Sequence, residues 1–539
     1  VEKVELSRRD LLTAFLGAPL AALACRRAVR TPLPPGEIAG ASDSVGHRLR
    51  EAARARPSND AWLSRDVVIV GAGMSGLSAA WRLEHAGFRD YSVLELEPVA
   101  GGTSRSGSSR VSAYPWGAHY VPAPMPNDRA LIRVLSEMGA FDSGAVAEEF
   151  LCRDPQERIF FRGRWYEGLY LYAGASSEDL RQLRAFEAEI AKWVAWRDGH
   201  GRRAFTIPTA ACSDDAEVMQ LDRVSIRDWL DAQRFNSPRL RWLVAYACRD
   251  DYGAQLEDTS AWAAIFYFAS RVPKEGEESL PLITWPDGNG RIAAHLATSA
   301  RQRIETGWLV TNVIPSNDGV DVIAESRDGR DLRGIHAKRV IFAAPQFIAA
   351  HVIASFRDAL PSHVREFTYG SWLVANLTLR DRPRSSGFPL AWDNVFYESP
   401  SLGYVVATHQ SGIDYGPTVL TYYYALCDSN PRISRERLLS VNRDEWAEVV
   451  LSDISRAHPE IRDLTERLDI MRWGHAMIRP RPGFIGSEAR RRAREPHRNI
   501  HFAHTDLSGV ALFEEALYHG VRAAEGVLHA FDRPVETFL

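Results

Sequence analysis

VVIVGAGMSGLSAAW, Val67 to Trp81, decides the fold. Val67, Val68, Ile69 and Val70 form the continuous apolar run expected of a parallel strand buried on both faces. Gly71, Gly73 and Gly76 follow as GxGxxG and lead into an Ala/Leu-rich helix opened by Met74 and Ser75. In such a turn the first glycine allows the sharp bend, the second lets backbone approach a pyrophosphate, and the third lets helix and strand pack closely. The free N–H groups of the helix start then favour phosphate. Alone the motif is weak, but here a second strand, YSVLELE (Tyr91–Glu97), follows and ends in acid. A carboxylate at that position holds ribose hydroxyls, and either Glu95 or Glu97 is placed for it. Gly101, Gly102 and Thr103 come next. The E-x5-GG spacing favours Glu95 as the ribose ligand and leaves Glu97 facing solvent. NAD, NADP and FAD all remain open at this point.

The chain has 539 residues, enough for two or more structural units. An apolar fraction of 45% and a charged fraction of 25% suit a soluble globular protein. A net charge of −4 gives no global electrostatic case for nucleic acid or an acidic membrane. Of 65 basic residues only Lys3, Lys192, Lys274 and Lys338 are lysines, so few remain for any catalytic role. Cys25, Cys152, Cys212, Cys248 and Cys427 lack metal-like or CxxC spacing, and no metal site is expected. The last four read as buried free thiols, with pairing in an oxidising compartment as the alternative.

The first 25 residues carry an address. Ser7-Arg8-Arg9 precedes an uncharged run from Leu11 to Ala24, too short for a mature membrane span and suited to a secretory segment. The paired arginines resemble a twin-arginine (Tat) export signal, and Ala22-Leu23-Ala24-Cys25 resembles a lipoprotein processing site with Cys25 as a lipid anchor. A periplasmic location, free or membrane-anchored, is the expectation. Residues 26–64 read as a Pro/Gly/Ser linker with one short helix.

VVIVGAGMSGLSAAWRL…VLELEPVAGG resembles the FAD-binding start of the flavin amine oxidase and phytoene desaturase superfamily. Four later stretches resemble that family in order: TWPDGNGRIAAHLA (284–297), the hairpin WLVTNVIPSNDGVDV (308–322), the returning strand KRVIFAAP (338–345), and IHFAHTDLSGVALFEEALYHGVRAAEGV (500–527). The resemblance implies noncovalent FAD in an α/β fold. Its Rossmann-type FAD-binding domain would be built from discontinuous segments (65–141, 281–345 and 471–539), interleaved with an α+β substrate domain (142–280 and 346–470). It implies Val310 near the adenine, and Asp506 near the ribityl–phosphate region. Phe513 and Glu514 would open a helix whose amides stabilise charge at the flavin N1–C2=O edge. Glu515 stands where the family often has glycine.

Flavin carries the reaction, so the protein has to place a substrate C–H bond and exclude water, and no catalytic triad is expected. SAYPWGAHYVP (112–122) offers Trp116 and His119, and RWGHAMIRPRPG (472–483) offers Trp473 and His475, as catalytic candidates. TYYYALCD puts Tyr422 and Tyr424 on one strand face and Tyr423 on the other. Many family members carry a lysine near flavin N5. The matching stretch here, FTYGSWLVANLTLRD (367–381), has none, and its nearest positions are Trp372 and Leu373. The resulting expectation is an exported FAD-dependent oxidoreductase that oxidises a small amine or polyamine-like substrate, with oxygen or another electron acceptor. The alternatives are a desaturase or isomerase of an apolar polyene, and a non-catalytic flavin-binding protein.

Overall fold

The computed structural model describes residues 32–50 and 55–539; the expected leader and Cys25 lie outside them. Two sheets organise the chain. In the first, the order runs Ile304–Thr306, Tyr91–Glu95, Trp62–Val70, Leu332–Phe342, then the antiparallel strands Val320–Ser326 and Trp308–Pro315. Trp62–Val70 is parallel to both its neighbours, so Val67, Val68 and Ile69 have no exposed surface. Ile500–Phe502 pairs in parallel with the end of Leu332–Phe342, so segments hundreds of residues apart complete one sheet. The helices Met74–His85, Gly290–Ala300 and Phe513–Ala530 share one core with this sheet's residues Val67, Ile69, Val93 and Ile341. The first and last of them approach closely because Gly520 has no side chain: a Cβ there would stand 2.3 Å from the Ser75 carbonyl oxygen.

The second sheet has eight strands, in the order Ile38–Gly40, Thr465–Ile478, Tyr369–Leu379, Thr418–Leu426, Gly403–Val406, Asp393–Phe396, Glu157–Phe161 and Arg164–Glu167. Strand alternation divides its side chains. Leu373, Tyr422 and Tyr424 pack with Trp446 and Leu451, while Trp372, Val374 and Tyr423 face the other way. A helical layer of Ser177–Ala195, Pro238–Tyr252 and Ala261–Ala269 closes round Phe186, Trp262 and Phe266. A Ser176/Asp179 capping box starts its first helix.

Two segments differ from the sequence expectation. Thr465–Ile478 is one strand of the second sheet, running past a domain boundary placed at residue 470. Residues 32–50 are more than a linker. Ile38–Gly40 pairs in parallel with Ile470 and Met471, and the Pro35 and Glu37 carbonyls accept the Leu468 and Ile470 amides, each at 2.9 Å. Backbone pairing of this kind leaves no trace in hydrophobic periodicity.

Cys152, Cys212, Cys248 and Cys427 are buried and unpaired. Among the described residues no His/Cys/Asp/Glu group is arranged to hold a metal, and no helix is long and apolar enough to cross a membrane.

Candidate cofactor and substrate site

The glycine turn is built as its spacing requires. Gly71 has φ +97°, and a Cβ on Gly76 would lie 1.9 Å from the Gly71 oxygen. Gly73 differs, since its nearest neighbour would be Gly102 Cα at 4.0 Å, so its face is open. Gly101 (φ +123°) and Gly102 (φ +57°) abut this turn, and the Gly101 amide donates to Ala72 O at 2.8 Å. Glu95 closes the end of its strand by accepting the Ala72 and Glu97 amides at 2.7 and 2.8 Å. Burial raises its pKa and those two amides offset part of the rise. Glu97 is not solvent-facing. It accepts the Ser42 amide and hydroxyl at 2.8 and 2.9 Å and pairs with Arg105 at 3.2 Å, because residues 38–46 pass over it. Val310 is buried on the hairpin strand that reaches the Tyr91–Glu95 edge, at a bulge between Val310 and Asn312.

At the far end Asp506 is fully buried. It accepts the Tyr369 hydroxyl at 2.6 Å and the Gln346 amide at 2.8 Å, and lies 2.9 Å from His504 Nδ1. Burial alone would raise its pKa, but the His504 charge and these hydrogen bonds hold it below the ordinary value. The helix Phe513–Ala530 starts after Leu512 with no side chain capping its first amides. Those amides are therefore available to an outside acceptor. Glu515 turns away to accept Thr209 N at 2.5 Å and the Thr209 and Ser508 hydroxyls.

Between these ends lies a cavity. Thr103 and the helix start at Phe513 and Glu514 wall one side, and the second sheet walls the other through Trp372, Val374 and Tyr423. His119 and Trp473 line it. The His119 ring stacks on Tyr423, centroids 4.8 Å apart at 28°, and burial pushes its pKa down to about 4. Trp473 donates its indole N–H to the Trp116 carbonyl at 2.6 Å. Trp116 and His475, the other two catalytic candidates, are not among the residues that line this cavity. Trp116 packs edge-on against Tyr114 and serves the site through its backbone. His475 stacks on Phe347 at 3.9 Å, and burial and nearby Arg435 push its pKa to about 3. The cause is a bulge. Gly370 pairs with Met477 but Trp372 with Trp473, which breaks the alternation and brings Ala476 and Met477 to the cavity while His475 turns away. Of the tyrosine stripe, Tyr423 alone lines the site.

The cavity's charge leaves little trace in the sequence. Asp250 and Asp251 on Pro238–Tyr252, Asp393 on its strand and Glu514 all line it, with Arg271 as the one cation among the lining residues. Arg271 pairs with Asp251 at 3.3 Å. Asp393 accepts the Tyr246 hydroxyl at 3.1 Å, and burial, then Glu157 and Asp250, hold its pKa well above the carboxylate range. Burial also pushes Glu157 and Glu514 up to about 7, and raises Asp250, which the adjacent Asp251 charge raises further. The adjacent pair in ACRDDYG was the only sequence-level hint, because Glu157, Asp250 and Asp393 meet only through tertiary packing.

The residues present fit FAD. The open face of Gly73, the buried Ser75 hydroxyl and Arg105 Nε without partners, and the unpartnered side-chain amide of buried Gln346 beside Asp506 suit an elongated phosphate-bearing ligand. The uncapped helix start suits an acceptor edge at its end. Bound there, FAD would supply a two-electron acceptor facing the cavity.

Fold and site define a two-lobed FAD-dependent oxidoreductase that holds its cofactor noncovalently. The chain matches the family "Flavin containing amine oxidoreductase" over residues 74–528 and belongs to it. It is 22% identical over 522 residues to the oxidoreductase PigB of Serratia sp., covering 86% of this chain and 75% of PigB. AofH of Mycobacterium tuberculosis, named as a flavin-containing monoamine oxidase, is 30% identical over 324 residues, 58% of this chain and 63% of that protein. In fold the chain is similar to a putrescine oxidase solved with putrescine (TM-score 0.62, 16% identity, 87% of this chain and 100% of that one).

Proposed function

We propose that this enzyme oxidises a C–N bond in a diamine or polyamine by hydride transfer to the flavin. The carboxylate-rich cavity carries the reading. The cavity lining brings together the rings of His119, Tyr423 and Trp473 and the carboxyl groups of Asp250 and Asp393. An ammonium gains both from ring faces and from carboxylates in such a setting. Its reacting amine has to be neutral for hydride to leave the adjacent carbon, and a second, distal ammonium suits the acidic side. His119 is neutral here and positions rather than titrates. The names of AofH and putrescine oxidase are in keeping with this substrate class.

The test is anaerobic reduction of the purified holoenzyme by mono-, di- and polyamines, followed as bleaching of the flavin absorbance. Bleaching strongest with diamines or longer amines is the expected result, and no bleaching with any amine would remove the reading. The desaturase reading needs an apolar tunnel, against which the four lining carboxylates weigh. Export is proposed on the Ser7-Arg8-Arg9 leader and its apolar run alone, with lipidation of Cys25 as the finer form, and cell fractionation of the full precursor tests both.

A further inference from the structure

Residues 34–50 lie outside the family-matched region and bind both lobes. On the substrate sheet, Ile38 and Gly40 pair with Ile470 and Met471, and Arg443 donates to the Pro34 carbonyl. Gly36 is pressed so tightly that a Cβ would fall 1.8 Å from the Leu468 oxygen. The chain then crosses to the nucleotide sheet. Ser42 donates twice to Glu97, two residues past Glu95, and Glu97 in turn holds Arg105, whose side chain packs on Gly101. Arg48 pairs with Glu325 at 2.6 Å and donates to the Arg327 carbonyl at 2.9 Å. Leu49 is buried in the same apolar cluster as Val310. We infer that this segment is a strap that retains the cofactor. It ties the ribose-side acidic turn to the substrate lobe, so the groove from Gly73 to Asp506 opens only when Ser42, Arg48 and Leu49 undock.

The inference rests on FAD as the cofactor, and its effect is on release rather than on chemistry. No covalent link is needed for slow release if the groove is closed by a segment anchored on both sides. Each tie is a charge-assisted hydrogen bond or a buried apolar contact, so loss of two should be visible in a dissociation rate.

The test compares FAD release from the wild-type holoprotein, S42A/R48A, L49A and R333A. Release is read as the rise of free-FAD fluorescence after dilution, with circular dichroism confirming the fold. Arg333 pairs with Glu305 on the nucleotide sheet and makes no hydrogen bond or ion pair with the strap, so R333A serves as the control. Release about tenfold faster in S42A/R48A and in L49A, with R333A at the wild-type rate, is the expected result. Ser42→Ala alone, a mild change that keeps the measurement usable if the double variant misfolds, should lie between. Wild-type release rates in folded S42A/R48A and L49A would overturn the strap. A purified protein without any FAD would overturn the cofactor reading instead.

Discussion

Gly76 lies so close to Gly71 that a Cβ on it would stand 1.9 Å from the Gly71 oxygen, whereas one on Gly73 would meet nothing nearer than 4.0 Å. The two glycines of one motif therefore do different jobs. Gly76→Ala has to push the helix Met74–His85 off its strand and should lose about 1–3 kcal/mol of stability. Gly73→Ala should fold with a near wild-type melting temperature, yet bind FAD at least about tenfold more weakly, because its new methyl occupies the open face. Melting curves and FAD titration of both variants separate the roles. Equal destabilisation by the two would contradict them.

The acidic side of the cavity predicts a selective change in substrate binding. Asp393→Asn keeps a partner for the Tyr246 hydroxyl and removes an acid that can ionise beside a bound ammonium. KM for a diamine should rise by roughly 10–100-fold, as loss of a partly desolvated charge pairing implies, with a smaller change for a monoamine of equal length. Asp250→Asn should act in the same direction. Steady-state kinetics on matched mono- and diamines checks this, and equal KM changes on both substrates would refute the distal role.

These carboxylates also set the pH dependence. Glu157 is pushed up to about 7 by burial, and Asp250 is raised by burial and then by Asp251. Both ionise as pH climbs through neutrality, so kcat/KM for diamines should rise across about pH 6–8. His119, held near 4 by burial, contributes no limb in that window, and His119→Phe should leave the shape of the profile intact. The same raised values act on stability. A carboxyl whose folded pKa exceeds its unfolded value favours folding below about 4.5, and that contribution is lost as pH rises through 7. The melting temperature without substrate should thus fall from pH 6 to 8, and a diamine should restore more of it at pH 8.

What could be read from the chain followed the range of the interactions. The nucleotide turn, Glu95, Gly101-Gly102 and the helix at Phe513 were legible because local spacing sets each. Glu97 was misplaced because its partners, Ser42 and Arg105, come partly from a distant segment with no periodic signal. His475 lies off the cavity lining because the bulge opposite Ser371 breaks the alternation that would carry it beside Trp473. The acidic cluster leaves only the adjacent Asp250-Asp251 as a hint, because Glu157, Asp250 and Asp393 sit on three elements that meet only in the fold.

Electron transfer to oxygen is the last consequence of the site. The stretch 367–381 resembles the one that carries a lysine near flavin N5 in many relatives, and here the strand Tyr369–Leu379 sends Trp372 into the cavity and Leu373 into the opposite core. The Trp372 indole N–H is buried without a partner, and a Cβ on Gly253 would lie 2.7 Å from it, so the ring fills its place closely. Among the described residues no lysine lines the cavity, and Arg271, the one cation there, is paired with Asp251. A cation beside the reduced flavin stabilises the negative charge that oxygen acquires, so its absence slows that step. The wild-type enzyme should then reduce an artificial acceptor faster than it makes peroxide. Trp372→Lys supplies an ammonium on a slimmer side chain with room for water, and should speed reoxidation by oxygen by about tenfold or more. Stopped-flow mixing of the amine-reduced enzyme with oxygen reads that rate directly. A fast wild-type reaction, or an unchanged rate in folded W372K, would place oxygen activation elsewhere in the cavity.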